Sequence, residues 1–81
     1  MAEKNLINLC NTKQGQKVRI AKINAGIKAT KRLADMGLII NTDIDIIRKT
    51  PFCGPIEIKV RGSNLILGKQ ISNKILVKNY E

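Results

Sequence analysis

From Lys17 to Ile20 polar and apolar residues alternate with a period of two, which sends Val18 and Ile20 to one side of a strand and Lys17 and Arg19 to the other. The alternation fails at Lys22-Ile23, where a bend or strand end is expected. Between Gly26 and Met36 the period lengthens. At about 100° per residue Ile27, Ala29, Thr30, Leu33, Ala34 and Met36 gather on one half of a helical wheel, and Lys28, Lys31, Arg32 and Asp35 on the other. Gly37 then stands where a left-handed residue ends a helix, with Leu38 spaced to touch Leu33 in a Schellman closure.

Period two returns in Asp43-Ile44-Asp45-Ile46 and, more regularly, in Ile56–Arg61, the two strongest strands of the chain. Between them Pro51 and Pro55, which lack an amide donor, interrupt any ladder and force a loop from Thr50 to Pro55. Gly62-Ser63-Asn64 reads as a tight reversal into Leu65-Ile66-Leu67, which makes a hairpin. Gly68 to Asn73 turns again, through one helical turn carrying Ile71, before a last strand at Ile75-Leu76-Val77. Leu6–Leu9 is too short to stand alone, and Asn11–Gln16 forms a loop closing on Gly15.

The pattern therefore predicts a mainly β fold: five short strands and one inserted helix, rolled into a small barrel that hides its sheet edges. A length of 81 residues leaves room for one domain, spanning the whole chain, around one aliphatic core. Fifteen Lys and Arg against six Asp and Glu give a formal charge of +9, which favours nucleic acid, an acidic protein face or an anionic membrane surface as company. The most concentrated basic patch is Lys28, Lys31 and Arg32 on the helix. The first residues, Met1 to Asn11, carry no signal-peptide pattern, and no apolar run approaches the length of a membrane span, so a cytoplasmic location is expected.

Candidate chemistry is sparse. There is no histidine, so acid–base work falls on six carboxylates, and Glu3 and Glu81 lie at the ends. Asp43 and Asp45 share a strand face, but two carboxylates fall short of the six to eight oxygens calcium takes, and a solvated face is the expectation. Cys10 and Cys53 form no C-x-x-C pair and are read as free thiols in a reducing compartment, neither a disulfide framework nor a zinc site. Neither glycine-rich phosphate motif occurs, so direct nucleotide binding is not expected, and no cofactor is. Phe52 and Tyr80, the only aromatics, are too few for a base-stacking platform.

The run Gly26–Leu38 resembles a family pattern in which a glycine opens a helix ending in R-L-x-x-[LM]-G-[LI]. Pro51, followed by Pro55–Gly62, resembles a second signature: a proline loop leading into a strand that ends in R-G. Together they resemble the FeoA ferrous iron transport proteins, related in fold to the C-terminal domain of iron-dependent repressors, over about Leu6 to Val77. The resemblance implies an SH3-like barrel with a helical insertion that assists the FeoB membrane permease, whose cytoplasmic part binds and hydrolyses GTP. Iron and nucleotide would then belong to the partner. Three positions depart from the pattern. Ile40-Asn41 replaces Pro-Gly, where asparagine tolerates the left-handed turn; Cys53-Gly54 replaces Gly-Asp; and Gly68 replaces an arginine or similar polar residue.

The leading expectation is thus a non-catalytic accessory module that docks through Lys28, Lys31, Arg32, Phe52 and Pro55, exposed basic or loop groups flanking the two signatures. Peripheral membrane association and self-association stay open. The alternatives are a basic nucleic-acid-associated or repressor-like regulatory domain, and a free-standing metal chaperone.

Overall fold

The structure is a computed structural model that describes residues 6–79; Glu3, Tyr80 and Glu81 lie outside them. Ten short elements follow one another: β1 (Ile7–Asn8), a 3-10 turn (Leu9–Asn11), β2 (Lys17–Ile23), α1 (Ile27–Asp35), β3 (Asp43–Lys49), a second 3-10 turn (Pro51–Cys53), β4 (Ile56–Val60), β5 (Ser63–Leu67), α2 (Lys69–Ser72) and β6 (Ile75–Asn79). All strand pairs are antiparallel, in one six-stranded sheet of order β1-β6-β2-β3-β4-β5.

The structure corrects two expectations from the sequence. There are six strands among the described residues, because Ile7-Asn8 finds a partner in Leu76-Val77 that no local pattern announces. The sheet curls round its core without closing: β1 and β5, at its two ends, each pair on one side only.

Inward positions of every long strand meet in that core. Val18, Ile20, Ile44, Ile46, Ile56, Ile58, Val60, Ile75 and Val77 are buried together, with Leu9, Leu38 and Leu67 filling the ends. A buried aliphatic side chain of this size stabilises by about 1.5–3 kcal/mol relative to exposure. Strand β2 runs past the expected break by shifting register between Ile20 and Lys22, and β3 passes Ile46 in the same way; one extra residue in each lets the strand bend round the core. The β4–β5 reversal falls earlier than expected. Val60 pairs with Ser63, so the loop is Arg61-Gly62, both left-handed at φ 52° and 82°, the signature of a two-residue hairpin.

Helix α1 ends as the sequence requires. Gly37 adopts φ 91°, the Leu38 amide donates to the Leu33 carbonyl at 2.9 Å, and the Gly37 amide to Ala34 at 2.9 Å. Asn41 takes φ 74°, the left-handed conformation expected of the residue replacing glycine, and its amide reaches back to the Ile20 carbonyl at 2.7 Å.

Candidate functional site

The apolar half of α1 is not the core face the periodicity suggested. Leu33 alone in this helix is buried, at 3% exposure, while Ile27 stands 82% exposed and Met36 is also open. Among the described residues of α1 Leu33 alone joins the buried core cluster, and Ile27 is left open to solvent. The result is an apolar groove of about 200 Å³ between α1, β5 and α2, lined by Ala29, Leu33, Met36, Ile66, Leu67 and Ile71, with Arg32 on its border.

Ile66 extends this groove. It projects from edge strand β5 at 73% exposure and also walls a second depression with Arg48, Thr50, Pro55 and Glu57. Arg32 and Pro55, far apart in sequence, thereby lie along one continuous face with Ile66 between them. Sequence reasoning missed Ile66, whose alternation partners Leu65 and Leu67 are equally apolar; the signal was three consecutive apolar residues on a strand with only one covered side.

Lys28 and Lys31 are exposed on α1 beside Arg32, on the side the helical wheel predicts, but neither lines the groove. Phe52 is 92% exposed and turns the other way, onto a broad depression shared with Asn11, Thr12, Lys13, Lys49 and both cysteines. The tip of the loop is left-handed at Phe52 and Cys53, with φ of 61° and 58°, and the Thr50 hydroxyl donates to the Pro55 carbonyl across it at 3.0 Å. The five expected contacts therefore divide. Arg32 and Pro55 share a face, Lys28 and Lys31 neighbour it, and Phe52 belongs to a separate surface.

The free-thiol expectation is overturned. Cys10 and Cys53 are joined as a disulfide, with Cα atoms 5.1 Å apart across 43 positions of sequence. The bridge joins the 3-10 turn after β1 to the one after β3, 43 positions apart, so no local spacing reveals the pair. The Asp43 and Asp45 carboxylates sit opposite cations of β2: Asp43 accepts from Arg19 at 2.7 Å, and Asp45 lies 4.0 Å from the Lys17 ammonium. These cross-strand pairs follow directly from the register Arg19↔Asp43 and Lys17↔Asp45.

Residues 7–79 match the family model described as the FeoA domain. A relative from Methanocaldococcus jannaschii, named as a candidate Fe(2+) transport protein A, is 37% identical over 73 residues, covering 90% of this chain and 87% of the relative. The crystal structure of an iron uptake regulatory protein (FeoA) superposes with a TM-score of 0.84 at 28% identity, covering 93% of this chain and 99% of that one. A manganese-dependent transcriptional repressor superposes equally well, TM-score 0.84, over 93% of this chain but 42% of its own, and at 18% identity it shares the fold alone.

Proposed function

The chain belongs to the FeoA family, and on that premise we propose that it is a non-catalytic, cytoplasmic accessory module of ferrous iron uptake, acting as one domain that docks onto the cytoplasmic GTPase part of a FeoB-like permease. The observation that carries this reading is the uncovered face running from α1 through Ile66 to Pro55, apolar between α1, β5 and α2 beside Arg32, and polar towards Pro55, where Arg48, Thr50 and Glu57 line it. Apolar side chains left open beside fixed positive charge suit a partner surface that is apolar at its centre and acidic at its rim.

Arg32, Ile66 and Pro55 supply the central contact in this reading, Lys28 and Lys31 steer the approach, and Phe52 makes a separate contact. The transported ion and the nucleotide belong to the permease. The chain contributes no histidine, and its paired strand carboxylates are already held by Arg19 and Lys17. Reversing charge in Lys31→Glu with Arg32→Glu is expected to weaken capture of the permease's cytoplasmic domain on the order of tenfold at low salt and less at high salt. Equal capture by wild type and variant would remove the helix from the interface.

The fold shared with a metal-dependent repressor, together with the +9 charge, favours one second reading: a regulatory domain that holds nucleic acid through backbone phosphates. Titration against random duplex separates the two. Phosphate contacts make affinity fall steeply with salt, whereas a docking module leaves no such slope.

A further inference from the structure

We propose that Cys10 and Cys53 form a reversible thiol–disulfide site, closed by a hydroperoxide and reopened by a small dithiol. The proposal stands on the geometry of the pair and is independent of which partner the chain docks onto. A separation of 5.1 Å between Cα atoms lies within the range a disulfide bridges without backbone movement. In the bridged form the Cys53 sulfur lies 3.8 Å from the Cys10 carbonyl oxygen, an acceptor within reach of its S–H once the bridge opens.

The two cysteines differ in access, and that assigns their roles. Cys10 is buried at 4% exposure behind the β1 turn, whereas Cys53 is half-buried at the end of the Pro51–Cys53 turn; both border the open depression that reaches solvent past Phe52 and Lys13. The Lys49 ammonium donates to the carbonyls of Cys10, at 2.8 Å, and of Thr12, which holds a positive charge against the segment that carries Cys10.

The Cys53 thiolate attacks the outer oxygen of the hydroperoxide. The O–O bond breaks, an S–O bond forms, and the departing alkoxide takes up a proton and leaves as the alcohol. The Cys10 sulfur then displaces the hydroxyl from the Cys53 sulfenic acid; the S–S bond forms and the hydroxyl leaves with the Cys10 proton as water. Two thiols and one hydroperoxide thus become one disulfide, one alcohol and one water, with two electrons passed to the peroxide. A dithiol reverses the closure by exchange and is itself oxidised to a disulfide. Closure ties the Pro51–Cys53 turn, and with it Phe52, to the Leu9–Asn11 turn.

The test uses the full chain, reduced, freed of reductant and exposed to hydrogen peroxide, then quenched, unfolded and labelled with a maleimide for intact-mass measurement. Two labels are expected before peroxide, none after it in a species that stays monomeric, and two again after dithiothreitol. Dimedone is expected to trap a sulfenic acid on Cys53 in the Cys10→Ser variant and nothing on Cys10 in Cys53→Ser. Retention of both labels after peroxide, or their loss only in cross-linked dimers, would overturn the site. Trapping on Cys10 in place of Cys53 would overturn the assignment of attacking and resolving sulfurs. Labelling of the wild-type chain decides for or against the site even where a serine variant folds poorly.

Discussion

Gly37 is the residue on which the end of α1 turns. At φ 91° a side chain is strained even though a Cβ would find only ordinary contact with the Arg61 side chain, at 3.6 Å. Gly37→Ala is therefore expected to lower stability by about 1–2 kcal/mol, read as a shift in urea midpoint at unchanged slope. This position is legible in the sequence, because a glycine after a 3.6-period run followed by a leucine has one common meaning. Asn41 is legible for a similar reason. The left-handed pair Phe52 and Cys53 is not: neither residue type favours that conformation, and what holds it is the disulfide and the Thr50 to Pro55 hydrogen bond, both products of the finished fold. The disulfide closes a loop of 43 positions, for which chain-entropy arguments give up to about 4 kcal/mol of stabilisation. Thermal melts with and without dithiothreitol measure that difference, and melts that coincide would mean the bridge contributes nothing to the folded state.

At the scale of elements, strands whose alternation is strict can be placed from sequence to within a residue or two, because a single slip would turn every aliphatic side chain outward. Strand ends are harder. The bulges in β2 and β3 carry each strand past the point where its pattern fails, and Arg61 supports a hairpin turn although its residue type does not ask for one. For α1 the sequence identifies the helix but misleads as to its cover: periodicity reports which residues share a face, not whether another element lies over it. Leu33→Ala should cost about 2–4 kcal/mol, as deletion of a buried leucine does, while Ile27→Ser should stay within about 0.5 kcal/mol of wild type. Equal losses in chemical denaturation would mean that Ile27 is covered after all.

For the whole molecule, one open curl of sheet explains both what the chain has and what it leaves exposed. Its core takes the inward row of each strand, and the helix adds Leu33 to it while leaving an apolar groove beside β5 and α2. Lining up Arg32, Ile66 and Pro55 needs the order β3-β4-β5 and the return of the chain through α2, so the candidate face is hidden from a reading of the sequence, although its charged members are not. The most direct test of docking through this face is calorimetric titration of the full chain into the cytoplasmic part of the permease, comparing wild type with Ile66→Asp. The substitution sits on an exposed position and should leave the melting temperature nearly unchanged. Saturable binding by wild type that Ile66→Asp abolishes is the predicted result; wild-type affinity in the folded Ile66→Asp variant would contradict it.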